Sequence, residues 1–244
     1  MTQIAEQVGI HKSTVHRLLA TLEHKRFVQR DPDTGNYRLG IRLLQMAYLT
    51  LERNDLHQIA APFLRYLSEQ YKENIHLAVL DDTDVVFVNI IESSQRVKLA
   101  AALGQRLPAF ATASGKAILA FLPEEAVQRI LKRGMPQYTP YTPLSPETVF
   151  EDLRLIREHG YALSEQEYEE EINAVAAPIF DAESHPVASV AIAGPSYRLT
   201  RERMIGIGPH VSRTAHDITQ ELMLSAISQV NTTVASSLPT QMGK

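Results

Sequence analysis

Residues 2–39 read TQIAEQVGIHKSTVHRLLATLEHKRFVQRDPDTGNYRL, and this stretch predicts a winged helix-turn-helix. Thr2 can cap a first helix over Gln3–Gln7, and Gly9 gives the backbone the freedom to turn out of it. A second helix begins near Ser13, because apolar residues recur there at the spacing of one helix face. These residues are Val15, Leu18, Leu19 and Leu22. The opposite face of the second helix is then free for contacts outside the module.

Turn-forming residues follow the second helix and predict a wing. Residues 30–36 read RDPDTGN, which is typical of a turn between two short strands. Phe27 and Val28 precede this turn, and Tyr37 and Leu39 follow it. The order of helix, glycine turn, helix and hairpin favours a DNA-binding module over an ordinary surface helix.

The free helix face and the wing carry side chains suited to duplex DNA. Hydroxyl and cationic groups near a helix N-terminus can reach base edges and phosphates in the major groove. The predicted DNA-contacting residues are Lys12, Ser13, Thr14, His16, Arg17, Arg30 and Arg38. Residues 1–42 hold seven Lys or Arg against four Asp or Glu, so their balance of 7 − 4 = +3 leaves −7 for the rest of a chain of net charge −4. A basic end on an acidic body fits a DNA contact confined to one module.

A winged module normally buries its two helices against an earlier helix. The sequence begins at Met1, immediately before the first of the two predicted helices. We therefore expect the first helix of the module to be missing from residues 1–39. Leu18 and Leu22 should then lack a packing partner, and the module should be less stable than its intact form.

Composition sets the frame for the remaining chain. With 244 residues, 44% hydrophobic and 21% charged, the chain can form a substantial globular core. It contains no apolar run near eighteen residues, so we expect no membrane association. The absence of cysteine excludes disulfides and thiolate chemistry and fits a cytoplasmic location. The nine histidines lack the spacing of a helical zinc site, and we predict neither a metal nor another cofactor.

The sequence divides into a module at 1–39, a linker helix at 40–54, a second domain at 55–229 and a disordered tail at 230–244. The linker, GIRLLQMAYLTLER, is apolar on more than one face, which favours packing against a second subunit or closure of the second domain's core. The tail is polar and has no hydrophobic period.

The second domain is predicted to be α+β, with an antiparallel sheet flanked by helices. Ile75–Leu80 and Val85–Ile91 form the clearest hairpin, and Val97–Leu103 is a third strand. Further strands are predicted at Tyr161–Leu163, Asn173–Phe180 and Val187–Ala193. The predicted helices are Ser114–Phe121, Glu124–Lys132, Pro146–His159 and Arg201–Ile227.

Three motifs, in order, resemble the IclR family of bacterial transcriptional regulators. They read IHKSTVHRLLATLE, LPAFATASGKAILAFL and HGYALSEQEYEEEINAVAAPIFDAESHPVASVAIAGPSYRLT. The resemblance implies a winged helix-turn-helix, a dimerising linker helix and an effector domain similar to GAF and profilin-like folds. It also implies a dimer or tetramer that binds an operator in double-stranded DNA and controls a catabolic operon in response to a small metabolite.

The resemblance also places the effector between the sheet and the loop that opens the TASGK helix. The residues at those positions are Leu99, Leu107, Ala113, Ser114, Ile172, Ala174, Ala191 and Ala193. Members that bind very small keto acids carry hydroxyls or thiols at the last three positions and an acid where Ser164 stands. Methyl groups in their place predict a bulkier, more apolar effector, such as an aromatic acid. The alternative is that these alanines only pack the sheet.

Other patterns carry weaker claims. Gly115–Lys116 lacks the remainder of a phosphate-binding loop, and Ser114 lacks the glycines of a nucleophile elbow. The acidic run at 165–171 is typical of a solvated surface, and His76 either lines the pocket or pairs within the sheet. We therefore predict no catalytic residues and a ligand-responsive repressor that senses a small organic acid. A metabolite-converting enzyme on the same sandwich and a constitutive architectural DNA binder remain as alternatives.

Overall fold

The computed structural model describes residues 2–52 and 55–237. Its contacts divide the chain between Asn54 and Asp55 into two compact units. Helices and an antiparallel sheet make up the second unit, so the α+β prediction is confirmed.

The first unit contains the predicted winged helix-turn-helix. Its elements are α1 (Thr2–Val8), α2 (Lys12–His24), β1 (Val28–Arg30), β2 (Tyr37–Leu39) and α3 (Ile41–Glu52). The two strands pair antiparallel, with Gln29 opposite Arg38. Val15 and Leu19 are the buried residues of α2, whereas Leu18 is 52% exposed and Leu22 is 40% exposed. Half of the predicted apolar stripe therefore packs within the unit, and the other half faces outward.

The second unit is built on one six-stranded sheet with the order β5-β4-β3-β8-β7-β6. The strands are β3 (Asn74–Asp81), β4 (Asp84–Ile91), β5 (Arg106–Pro108), β6 (Ala162–Glu165), β7 (Ile172–Phe180) and β8 (Pro186–Pro195). The helices are α4 (Asp55–Tyr71), α5 (Ala113–Leu119), α6 (Glu124–Leu131), α7 (Pro146–His159) and α8 (Arg201–Ser237), and a single 3₁₀ turn (Ala109–Ala111) precedes α5.

Alternation along the strands divides the core into two layers. Ile75 and Leu77 of β3 pack with α4 and α8 on one face of the sheet. Ala78 of the same strand and Ala191 of β8 pack with α5, α6 and α7 on the other. Successive side chains of a strand point to opposite faces, so two helical layers cover one sheet. The face toward α5 carries the smaller residues, and the candidate pocket lies there.

The predicted strand at Val97–Leu103 is wrong, because the third strand along the chain is β5, at Arg106–Pro108. The apolar run instead crosses the end of the sheet as a loop, and a side chain anchors it: Asn74 Nδ2 donates to Leu99 O over 3.2 Å. Gly104, with φ +79°, then turns the chain into β5. Leu99 lines a cavity, which explains an apolar pattern that is not a strand.

The final helix extends further than its sequence pattern predicts. It ends at Ser237, so the predicted end at Ile227 is wrong, and the helix includes residues 230–237 of the stretch assigned to the tail; residues 238–244 lie outside the described part of the chain. Asn, Thr and Val lower helix propensity only slightly, and an established helix gains one hydrogen bond with each added residue. None of the helices described is both long and apolar enough to cross a membrane.

Candidate functional site

The first unit exposes all seven side chains that the sequence assigns to DNA contact. They lie on α2, where Lys12, Ser13 and Thr14 form the first turn, and on the two strands of the wing. His11 caps the helix: its Nδ1 accepts from Ser13 N at 3.4 Å and lies 2.8 Å from Ser13 Oγ. The cap fixes the start of α2 and holds the Ser13 hydroxyl close to His11. Arg17 lies one turn further along α2 and is exposed.

The wing is ordered by its own backbone contacts. Asp31 Oδ1 accepts from Asp33 N at 3.0 Å and from Thr34 N at 2.8 Å, and the Thr34 bond is the main reason that the pKa of Asp31 is lowered. Arg30 Nε donates to Gly35 O at 3.4 Å, so this side chain is bent back toward the turn. Arg38 lies on the neighbouring strand and is exposed. A rigid turn between two cationic residues suits contact with a phosphate backbone.

Replacing Arg17 with alanine should weaken DNA binding in one of two measurable ways. If Arg17 contacts a base, operator affinity should fall by about 1–3 kcal/mol; if it neutralises a phosphate, the salt slope should decrease by about one. Affinity should be measured across NaCl concentrations on a genomic duplex selected by the protein and on a random duplex. Arg154→Ala, an exposed arginine of the second unit, is the control. Wild-type affinity and slope in Arg17→Ala would remove Arg17 from the interface.

The second unit encloses a cavity of about 80 Å³ between the sheet and the start of α5. All eight residues predicted to contact an effector line it. Ala174, Ala191 and Ala193 form its floor on β7 and β8, and Ala113 and Ser114 form its roof. Ala193 pairs directly with Ala174 in the sheet register. Small side chains on adjacent strands leave space that larger residues would fill.

Two irregular segments close the sides of this cavity, and each is fixed by hydrogen bonds. Asn74 is fully buried; its Oδ1 accepts from Ser93 N at 3.0 Å, and its Nδ2 holds the segment that carries Leu99. On the other side, Tyr168 and Glu169 belong to the loop at 166–171.

The loop at 166–171 is held at both ends. Gln166 and Glu171 adopt φ of 60° and 63°, a left-handed conformation that is unfavourable for residues other than glycine. Gln166 Oε1 accepts from Glu171 N at 2.9 Å, which ties the two ends together. Thr139 Oγ1 and Thr142 Oγ1 each donate over 2.6 Å, to Gln166 O and Glu167 O respectively. The cavity is therefore bounded by a constrained loop.

The start of α5 is built for close approach to the preceding turn. Thr112 Oγ1 accepts from Gly115 N at 3.2 Å and so caps the helix. A Cβ on Gly115 would lie 2.1 Å from Ala109 O, so only glycine allows α5 to pack against the 3₁₀ turn. Thr112 thus satisfies Gly115 N, while Ala113 and Ser114, also in the first turn, line the cavity.

Replacing Thr112 with alanine should lower the free energy of unfolding by about 1 kcal/mol, the usual cost of losing a helix cap. Thr112→Ser keeps the accepting oxygen and should stay close to the wild type. Urea denaturation of the three proteins would measure the difference. Equal stability of Thr112→Ala and Thr112→Ser would show that the hydroxyl contributes nothing to α5.

A buried ion cluster lies on the opposite side of α5. The side chain of Lys116 is only 2% exposed, and its Nζ donates to Glu167 Oε1 at 2.6 Å and to Asp152 Oδ2 at 2.8 Å. Burial alone would lower the pKa of Lys116, but the charges of Glu167 and Asp152 outweigh it and raise the pKa. Lys116 therefore stays charged and ties α5 both to α7 and to the loop at 166–171.

The position of Glu167 corrects the expectation that the whole acidic run is solvated. Its side chain is 12% exposed, and burial raises its pKa although Lys116 acts in the opposite direction. Glu165 is also engaged, in an ion pair with Arg201. The sequence missed this because five of the seven residues at 165–171 are glutamates, and nothing local distinguishes the one that turns inward.

A second and larger cavity, of about 330 Å³, adjoins the ion cluster and is lined by Asp152, Glu165, Glu167 and Arg201 among others. Two carboxylates of this lining already form ion pairs, Glu167 with Lys116 and Glu165 with Arg201. The smaller cavity instead combines apolar walls with a few polar groups, which is typical of a site for a small organic molecule. Within residues 2–52 and 55–237, no three His, Asp or Glu residues are grouped to hold a metal ion.

His76 and Tyr168 are two of the ten residues lining the cavity that the motif-based assignment leaves out. His76 lies on β3 opposite Ala191, and the prediction left open whether it lines the pocket or pairs within the sheet. The structure places it in the pocket lining. The alternation along β3, in which Ile75 and Leu77 face the other layer, was the signal that could have decided this.

Solved structures of other proteins are similar to this chain over most of its length. The match to the IclR protein of Thermotoga maritima has a TM-score of 0.73 and 32% sequence identity, covering 91% of this chain and 90% of that one. An IclR homologue from Microbacterium hydrocarbonoxydans, solved with 4-hydroxybenzoate, has a TM-score of 0.79 and 25% identity, with 91% and 90% covered.

Sequence comparisons agree with this. The family model described as the IclR helix-turn-helix domain matches residues 1–32, and the model of the bacterial transcriptional regulator IclR C-terminal domain matches residues 48–220. The transcriptional repressor IclR of Escherichia coli K12 is 34% identical over 222 residues, covering 90% of this chain and 81% of the relative. The transcriptional repressor AllR of the same organism is 33% identical, with 93% and 84% covered.

A winged DNA-binding module together with a pocket-bearing α+β unit defines a ligand-responsive transcriptional regulator. The similar curated proteins are repressors and not enzymes, so the metabolite-converting alternative is set aside. The chain belongs to the IclR family.

Proposed function

We propose that the regulator is a repressor of a catabolic operon that binds an organic acid in the cavity floored by Ala174, Ala191 and Ala193. The observation that carries the proposal is the gathering of all eight predicted residues around one cavity. Its lining is mainly alanine, leucine and isoleucine, and it suits an apolar body. An aromatic acid fits this description, and the Microbacterium relative carries 4-hydroxybenzoate.

The carboxylate of such a ligand would face the polar side of the pocket. Ser114 and Ser164 are buried hydroxyls in the lining, and the amides of Ala113 and Ser114 start α5. These groups can donate hydrogen bonds to carboxylate oxygens. Among the described residues, none that lines the cavity is a lysine or an arginine, so donors without formal charge would hold the acid.

The response to the ligand requires paired DNA-binding modules, and we propose a dimer or a tetramer. The first unit exposes apolar residues on the helix that follows the wing: Ile41, Leu44 and Met46 are 57%, 66% and 48% exposed. A second copy would cover such a surface. Ligand binding would then act by favouring one dimer geometry over another. A bacterial regulator must reach cellular DNA to act, so we place the protein in the cytoplasm.

The proposal is tested by a thermal-shift screen followed by DNA binding. A ligand that binds only the native state raises the melting temperature by mass action, and benzoates, sugar acids and short keto acids form the panel. Each hit is then recovered, analysed and added to the protein on a selected genomic duplex. A hit that is recovered intact and changes DNA affinity supports the proposal. A hit that stabilises the protein but leaves DNA affinity unchanged contradicts it.

A further inference from the structure

A polar side chain in the effector pocket has no partner within the protein. His76 is 4% exposed, and its Nε2 has no hydrogen-bond partner in the part of the chain that the structure describes. The imidazole packs on Phe87 with ring centroids 4.4 Å apart and an interplanar angle of 35°. The contact with Phe87 therefore positions the imidazole ring, while its Nε2 remains available for a hydrogen bond to a ligand.

The surroundings keep this imidazole neutral. Burial lowers the pKa of His76 to about 4, so it carries no charge at neutral pH. Tyr168 and Glu169, both from the loop at 166–171, are the other titratable residues that line the cavity. None of the described lining residues from the other segments has a titratable side chain; these segments are β4, β5, β6, β7, β8, α5 and the stretch at 99–105. A neutral imidazole offers one donor and one acceptor.

An unpaired polar atom in a buried pocket is costly to keep, and a ligand group can satisfy it. Space for such a group exists beside His76 because its neighbour in the sheet register is Ala191, and Ala193 follows on the same face. A hydroxyl both donates and accepts, so it matches either tautomer of the ring. A second carboxylate only accepts, and no cationic side chain lines the cavity to offset its charge.

We propose that His76 binds a hydroxyl group on the effector, so that the pocket selects a hydroxylated acid over the same acid without the hydroxyl. The inference rests on the proposed function, because it requires the effector to occupy this cavity. His76 is then the residue that determines specificity within the ligand class, whereas the alanines determine the size of the ligand.

The test compares benzoate with its monohydroxy isomers by titration calorimetry. The wild type should bind at least one hydroxy isomer about tenfold more tightly than benzoate, as expected for a buried hydrogen bond that would otherwise be lost. His76→Phe keeps an aromatic ring against Phe87 and should lose this preference while still binding benzoate. His76→Gln keeps hydrogen-bonding atoms and should retain part of it. Arg154→Ala, on the exposed surface of the second unit and outside the cavity lining, should leave the preference unchanged.

A spectroscopic measurement separates recognition from a structural role. The ¹⁵N resonances of the His76 imidazole, assigned by their absence in His76→Gln, should shift with the hydroxylated probe and remain those of a neutral ring. If the protein instead took up a proton on binding, the calorimetric heat would depend on the buffer. Such a result would mean that His76 becomes charged and pairs with a carboxylate. That result would overturn the proposal.

The remaining outcomes also decide the matter. The proposal is overturned if the wild type shows no preference, if the preference survives in His76→Phe, or if no member of the panel binds. Ala193→Leu distinguishes this failure from failure of the proposed function. If the probes bind this variant as tightly as the wild type, the effector does not occupy the cavity at all. If they bind only the wild type but without regard to the hydroxyl, the pocket is correct and the role of His76 is not.

Discussion

Lys116→Met should lower the free energy of unfolding by about 3–5 kcal/mol, because it leaves buried carboxylates without their countercharge. Lys116 Nζ is the hydrogen-bond donor that the structure gives to both Glu167 and Asp152, and Glu167 is only 12% exposed. Asp152 is 37% exposed and is solvated in part, so most of the loss comes from Glu167. Urea denaturation at neutral pH would measure the change.

The pH dependence of this loss provides a second check. Burial already raises the pKa of Glu167, and removal of Lys116 takes away the charge that opposes this shift. A carboxyl group with a higher pKa in the folded state than in the unfolded state binds protons preferentially in the folded state. Its contribution therefore becomes more favourable as pH falls. The deficit of Lys116→Met should be smaller at about pH 5 than at about pH 8.

Two further variants serve as controls for Lys116→Met. Arg154→Met breaks the exposed pair of Arg154 with Glu158, in which each side chain is 55% exposed, and should cost less than about 1 kcal/mol. The double variant Lys116→Met with Glu167→Gln removes the buried charge together with its partner and should recover part of the lost stability. If Lys116→Met costs no more than Arg154→Met, the cluster does not hold α5 in place.

Ala193→Leu should abolish the response to the effector while leaving DNA binding intact. Ala193 is 5% exposed on the pocket floor, and a leucine there extends into a cavity of about 80 Å³. We expect affinity for the effector to fall at least about 100-fold, which corresponds to ~2.7 kcal/mol. Calorimetry with the hits of the screen, and their effect on operator affinity, would measure the two consequences.

The fold should tolerate this substitution, because the leucine fills existing space instead of displacing packed atoms. Ala193→Ser adds little volume and is the control that should keep ligand binding. Operator affinity without ligand should match that of the wild type in both variants, since Ala193 belongs to the second unit. Undiminished ligand affinity in Ala193→Leu would move the effector elsewhere, with the cavity beside Lys116 as the first alternative.

Most of the fold can be predicted from local sequence patterns, because the limits of helices and turns are set by residues that are close together in the chain. Pro146–His159 begins and ends at the predicted residues, since Ser145 caps it and Gly160 terminates it. The wing is equally clear from its turn residues. The strand at 106–108 is missed because it has only three residues, whereas the apolar run before it is longer and mimics a strand.

The candidate site likewise has features that could be predicted from the sequence and features that could not. The resemblance to a family supplies both the floor and the roof of the pocket, whereas the alanine pattern alone is equally compatible with ordinary packing of the sheet. The ion cluster is not predictable, since Lys116 and Glu167 are distant in sequence and meet only after α5 and the loop at 166–171 pack together. The unpaired Nε2 of His76 depends on the register of β3 against β8, which the sequence alone does not fix.

Glu167 and Tyr168 are consecutive residues that face different sides of α5. Glu167 accepts a hydrogen bond from Lys116, and Tyr168 lines the cavity, so adjacent residues join the buried charge cluster to the pocket wall. We therefore expect the ion pair of Lys116 with Glu167 to restrict the movement of this part of the wall, and substitutions at Lys116 to alter the pocket without touching its lining.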